Sequence, residues 1–384
     1  MKILHTSDWH LGHTLYNYDR TDEQRDMLAQ IREIVERHKP DLFLLCGDVY
    51  HTSQPSAAVQ KLFSDAITEI RNANPDMTIV VTAGNHDSGS RHEIFRTPWQ
   101  SMGVHCIGTL KPDTPDDHII EIPGKGFVVA VPYCHERNLP EGFFQTLLDR
   151  AAELNSGGLP VVMMAHTTVA GCDFSGHDHA TDLMVGGIDT LDISQLGDGY
   201  DYLALGHIHH AQFVHTGKHN VRYSGTPLPV SFDENYPHSV SMVEIDAHGS
   251  RSKVETIDIS NPHPLVTLPA EGFAEWEDAK RMLSEFPADI PAYIRLNVAT
   301  ADFLPVDALA EATAAAEGKE CRLCHINVRR RASAQSDREI LTVQEFQAAD
   351  PLDIARRYAE ECDITLDDDI CRLFNEVARM VNDE

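Results

Sequence analysis

Apolar and polar positions alternate in short blocks from the start of the chain, and the period of the pattern changes from block to block. KILHTS (2–7) has the apolar content of a buried strand. Roughly 20–38 (RTDEQRDMLAQIREIVERH) repeats its apolar residues at helical spacing, with charge on the remaining face. DLFLLCGD is again a strand, roughly 55–72 a helix starting near Pro55, and TIVVTAGN a strand. Such a β-α-β-α-β opening predicts a layered α/β domain. Further strands are expected at FVVAVPY, PVVMMAH, DYLALGH, NVRYSG and SVSMVEID, with little helix between them. The pattern predicts a two-sheet sandwich flanked by helices over 1–260. Three prolines in NPHPLVTLP (261–269) mark a boundary. Beyond it LVTL, FAEWEDAKRMLSEF, AYIRLNV, VDALAEATAAAEG and CRLCHINV predict a small α/β domain over 261–339. Only helical patterns follow, a tail over 340–384 with one start at Asp350-Pro351 and another at Asp367.

The strands share a second feature: five of them end on polar side chains. The first runs into Asp8 and His10, the second into Asp48 with His51 three residues on, and the third into Asn85, His86 and Asp87. PVVMMAH ends on His166, and DYLALGHIH on His207 and His209. The carboxyl ends of strands are where open α/β sheets build their sites. One histidine after a strand is ordinarily a turn residue; five such endings in one chain predict a shared site. Asp, His and Asn without thiolate suit Mn²⁺, Fe²⁺ or Zn²⁺ in a two-metal centre. The spacing Asp-x-His puts Asp8 and His10 on one face of an extended segment, as it does His207 and His209. A carboxylate can bridge two cations, and Asp48 is the natural bridge.

This order of motifs (D-x-H, G-D, G-N-H-D, a lone His, G-H-x-H) resembles that of the calcineurin-like binuclear metallophosphoesterases. HTSDWHLG, GDVYH, AGNHDS, ALGHIHHAQ and YSGTPLPVSFDE narrow the resemblance to the family of bacterial SbcD nuclease subunits. It is dense over the first 235 or so residues and rests on order and size beyond them. The resemblance implies that Asp8, His10, Asp48 and His209 hold one divalent ion, and Asp48, Asn85, His166 and His207 the other, both of the Mn²⁺ type. It makes His86 a catalytic histidine at the scissile phosphate rather than a ligand. Many relatives carry an aspartate where this chain has His51, a second catalytic candidate that either orients His86 or touches DNA. The implied activity is a 3′–5′ exonuclease on duplex ends and an endonuclease on single strands and hairpins. It would serve double-strand-break processing, recombination and replication. The implied partners are the SbcC ATPase, in an assembly of two SbcC and two SbcD chains, a second copy of this chain as homodimer, and double- and single-stranded DNA. The tail is expected to bind SbcC or to pack on the small domain. The alternatives are a phosphatase or phosphodiesterase acting on small esters, and a silent DNA-binding scaffold.

Composition limits these readings. With 384 residues, 42% of them hydrophobic, the chain has enough apolar material for one large and one or two smaller cores. No apolar run approaches the ~18 residues of a membrane span, and MKILHTSDWH turns polar too early for a signal peptide. Eight scattered cysteines suit reduced thiols and a cytoplasmic setting. A formal net charge of −29, with −8 of it in 341–384, excludes a surface that coats nucleic acid by bulk attraction. It leaves room for a local site where bound metal meets phosphate. His177, Asp178 and His179 sit in a polar loop and read as solvated. Cys321-x-x-Cys324 has zinc spacing but lacks a second pair, and reads as a strand with two core thiols. Arg329, Arg330 and Arg331 are either solvated surface or phosphate contacts. Trp9, between two ligand positions, reads as packing.

Overall fold

Two six-stranded sheets face each other. The first has Lys2–Thr6, Leu42–Cys46, Thr78–Thr82 and Val104–Ile107 in parallel, extended past Lys2–Thr6 by antiparallel Ser239–Glu244 and Lys253–Asp258. The second has Gly126–Ala130, Val161–His166, Tyr202–Gly206 and Val221–Tyr223 in parallel, with Ile119–Ile122 and Gln212–Phe213 antiparallel at its edges. This computed structural model describes residues 1–175, 190–215, 219–301, 303–330 and 371. His177, Asp178, His179, Arg331 and, apart from Cys371, the tail's expected helices lie outside the described residues.

The central strands are buried on both faces, which is why they read as continuous apolar runs rather than as alternation. In Leu42–Cys46, Leu42, Leu44 and Cys46 pack between the sheets, while Phe43 and Leu45 pack beneath helices. In Tyr202–Gly206 the division repeats, with Tyr202 and Ala204 inward and Leu203 and Leu205 outward. Thr21–His38 covers the first sheet with Met27, Ile31, Ile34 and Val35. Asp22 and Glu23 in its first turn, Arg37 and His38 in its last, complement the helix dipole. Ala57–Ala73 begins where the Ser56 hydroxyl accepts from the Val59 N–H, two residues past the expected start. The second sheet is covered by Phe143–Leu154, a helix where the sequence pattern had predicted little helix.

The strands Leu265–Leu268, Tyr293–Thr300 and Arg322–Arg330 form a third, all-parallel sheet. Helices Trp276–Glu285 and Ala308–Ala315 close its own core around Leu283, Ile294, Leu296 and Val298. Its other side meets the sandwich through Tyr293, which packs with Leu15 and Phe232 and donates to the Glu23 carboxylate at 2.6 Å. Residues 1–330 make one compact unit. Cys321 is buried in the third sheet's core. Cys324, the extra residue of a bulge between Leu323 and His325, faces the Leu15 cluster, so the two thiols serve different contacts. Arg329 and Arg330 lie over the rings of Phe273 and Phe303.

Candidate metal centre

The parallel strands of both sheets end on one rim, and the polar side chains meet there. Past Thr6 the chain is tied to the neighbouring strand's loop: the N–H groups of Asp8, His10 and Leu11 donate to the carbonyls of Gly47, Asp48 and Val49 at 3.0, 3.0 and 2.9 Å. Asp8, His10, Asp48 and His207 all have positive φ, at 54°, 44°, 49° and 99°. Four of the seven positive-φ non-glycine residues among those described thus stand at candidate ligand positions, the kind of strain that accompanies functional sites. Two glycines leave the room these side chains need. A Cβ on Gly47 (φ +84°) would enter the His166 ring, and one on Gly84 would meet the Asp48 carboxylate. Asp87 locks the loops together, accepting from the N–H groups of Gly84, Val49 and Tyr50 at 2.8, 3.1 and 3.0 Å.

All seven candidate ligands converge in two groups. Donor atoms of Asp8, His10 and His209 lie within 4.8 Å of one another, as do those of Asp48, His166 and His207. Asp48 lies between them, its Oδ2 3.4 Å from His166 Nε2 and 3.8 Å from His10 Nε2. Asn85 Oδ1 joins the second group, 2.9 Å from His166 Nε2 and 3.0 Å from His207 Nδ1. The rings are oriented from behind. His166 Nδ1 donates to the Cys46 carbonyl at 2.8 Å, and His209 Nδ1 faces the buried Glu234 carboxylate at 3.0 Å. Each therefore aims Nε2 into the pocket, the usual way metal-binding imidazoles are held. His10 Nε2 and His209 Nε2 end 3.1 Å apart. Two imidazole nitrogens aimed at one point, among carboxylates and an amide oxygen, fit divalent cations by donor type and by convergence.

The electrostatics agree with that fit. Burial would push Asp48 up, but His166 beside it, then His10, hold its carboxyl well below the usual range. Burial would push His166 down, and Asp48 overrides it, raising His166 to about 9. Asp8, also buried, is raised. Burial drives His10 well below the usual imidazole value, so that it offers a lone pair rather than a proton. A cation entering the second group must displace the His166 proton.

His86 and His51 stand at the mouth. His86 N–H donates to Asp48 Oδ1 at 2.8 Å, and its Nδ1 lies 2.9 Å from the His51 carbonyl oxygen, so Nδ1 carries the proton and Nε2 is left for other work. The two rings stack at 5.7 Å, and both come within reach of His10. His51 thus contacts His86 through its main chain. His13 stands edge-on to His51 at 4.7 Å, and burial depresses its pKa to about 2. Trp9 is enclosed by Phe43 and Phe63, its indole N–H donating to Thr6 Oγ1 at 3.0 Å. Glu234 escaped the sequence reading; its only signal was the SFDE that ends the YSGTPLPVSFDE stretch.

A two-sheet sandwich with paired N/O donor groups at the common strand ends is the architecture of a binuclear metallophosphoesterase. The family described as calcineurin-like phosphoesterase matches residues 1–211, and one described as type 5 capsule protein repressor C-terminal domain matches 261–362. The SbcD subunit of the nuclease SbcCD from Rhodobacter capsulatus is 33% identical over 303 residues, covering 71% of this chain and 73% of its own length. Its counterpart of the same name in Bacillus subtilis is 31% identical over 80% of this chain and 81% of its own, and that of Escherichia coli K12 26% over 79% of each. The chain belongs to the SbcD nuclease subunits of the calcineurin-like phosphoesterases. It is a metal-dependent hydrolase.

Proposed function

We propose that this chain cleaves DNA phosphodiesters with two Mn²⁺ ions, as the nuclease component of a complex with an SbcC-type ATPase in double-strand-break processing. The observation that carries the reading is the pair of donor groups with Asp48 between them and His86 bonded to Asp48 through its N–H. Asp8, His10, Asp48 and His209 would hold one ion, and Asp48, Asn85, His166 and His207 the other. Bound divalent ions supply Lewis acidity towards the phosphoryl oxygens and lower the pKa of water. The protein's own part is positional. Asp48 keeps its charge between the groups, and the Cys46 carbonyl and Glu234 fix two imidazoles. The His51 carbonyl fixes the His86 tautomer, leaving Nε2 to meet the leaving 3′-oxygen or the charge developing on phosphorus. Positive ions in a rim pocket also give DNA phosphate a place on a chain of net charge −29.

Family membership also supports finer assignments. The chain acts in the cytoplasm, 3′ to 5′ on duplex ends and as an endonuclease on single strands. No described helix is long and apolar enough to cross a membrane. Residues 261–339 cap the site, and 340–384 dock on SbcC. Two copies pair through Ala57–Ala73 and Gly89–Gln100, where Ile94 stands 69% exposed. The test is cleavage of 3′-labelled duplex, single-stranded circles and p-nitrophenyl phosphate esters by the purified chain with Mn²⁺. Metal-dependent cleavage of both DNAs is expected. Turnover of the small esters without DNA cleavage would replace the nuclease with a phosphatase. Deleting 341–384 is expected to spare single-strand cleavage and abolish co-purification with SbcC.

A further inference from the structure

Behind His209 stands a carboxylate that no ligand motif contains. Glu234 is buried, its Oε1 3.0 Å from His209 Nδ1, and Oε1 also receives the Val230 N–H at 3.4 Å. Neither residue is on a strand; Glu234 ends the loop Ser231-Phe232-Asp233-Glu234. The Glu234 N–H donates to the Ser231 carbonyl at 3.3 Å, and the Asp233 N–H to Ser231 Oγ at 3.2 Å. The loop's outer side is gripped by the third sheet. Arg295, in the strand Tyr293–Thr300, donates Nη1 to Asp233 Oδ1 at 2.6 Å and Nη2 to the Phe232 carbonyl at 3.4 Å, and its guanidinium lies over the Phe232 ring at 5.3 Å. Its Nε donates to Thr267 Oγ1 at 3.2 Å, so the guanidinium is braced within its own sheet.

We infer that Glu234 is a positioning residue for the first metal pocket, and that the third sheet sets its position through Arg295. The guanidinium holds Asp233 and the Phe232 carbonyl, the next residue carries the carboxylate, and the carboxylate holds the imidazole whose Nε2 faces His10. A shift of the third sheet along this contact would turn His209 relative to Asp8 and His10. The second group would shift less, because His166 takes its orientation from the Cys46 carbonyl within the sandwich and the His207 N–H is held by the Asp8 carboxylate. One pocket therefore answers to the third sheet more directly than the other. The inference rests on the proposed metal role of His209.

The test is Mn²⁺ titration of the metal-free, full-length chain by calorimetry, with electron paramagnetic resonance to separate spin-coupled pairs from isolated ions. The wild type should take up two ions as a coupled pair. Glu234→Leu removes the acceptor, and should weaken one ion by about 10–100-fold and the other less, leaving the spectrum that of isolated Mn²⁺. Glu234→Gln keeps volume and acceptor while losing charge, so it should remain folded and fall between the two. Arg295→Met should weaken the same ion by a smaller factor, and should add nothing to Glu234→Leu, since no orienting group is left for it to place. Wild-type affinity for both ions in Glu234→Leu, or equal weakening of both, would overturn the positioning role. An Arg295→Met variant that binds normally, or whose loss adds in full to that of Glu234→Leu, would overturn the link to the third sheet. A His209→Ala chain that still binds both ions would instead remove the metal role itself.

Discussion

Acid should destabilise this protein through a histidine that takes no part in the site. His5 lies between the two large sheets, its Nε2 3.1 Å from the Leu205 carbonyl and its Nδ1 3.0 Å from the Tyr202 hydroxyl. One neutral tautomer satisfies both: Nε2–H donates to the carbonyl, and the phenol donates to Nδ1. Burial first, then the nearby Arg222 cation, lower its pKa from 6.5 to about 3. The folded value lies below the unfolded one, so between them only the unfolded chain takes up the proton, and stability falls as pH falls from about 6.5 towards 3. At pH 5 the unfolded imidazole has gained ~1.5 pH units of binding that the folded one lacks, about 2 kcal/mol. His5→Gln cannot titrate, yet its amide can still donate to the Leu205 carbonyl. The variant should begin less stable at pH 7.5 and lose about 2 kcal/mol less than wild type on going to pH 5. Urea unfolding with EDTA present at both pH values measures the double difference and keeps metal linkage out of it. Equal acid losses in the two proteins would refute the reasoning.

Three further outcomes are expected. His86→Ala should retain both ions by elemental analysis while cleavage falls by about 10²–10⁴-fold, and loss of an ion would place His86 among the ligands. Asp48→Asn should weaken both ions together in calorimetry and His10→Ala mainly one; a single loss in Asp48→Asn would remove its bridging role. Light scattering should give a dimer at micromolar concentration that Ile94→Asp converts to monomer, and a wild-type monomer would make pairing depend on a partner.

The strands and their polar ends were legible because burial on both faces leaves uninterrupted apolar runs, and because a run that stops on Asp or His does so visibly. Contacts made by the main chain were not. Nothing in GDVYH announces that His51 offers its carbonyl to His86, nor that Asp87 gathers three backbone N–H groups. Phe143–Leu154 carries its apolar residues at helical spacing, yet it opens on Gly142 in a left-handed conformation with no side-chain cap, so the usual start signal is missing. Glu234 lies in a loop, 25 positions from its imidazole, where neither period nor motif connects the two.

The left-handed backbone at Asp8, His10, Asp48 and His207 bears on what keeps the pocket in shape. Each such residue costs on the order of 1–3 kcal/mol, drawn from the packing of the two sheets when the chain folds. The donors thus stand where sheet packing holds them, and a core substitution that loosens the packing should loosen the rim as well. Fold stability and pocket geometry therefore rise and fall together.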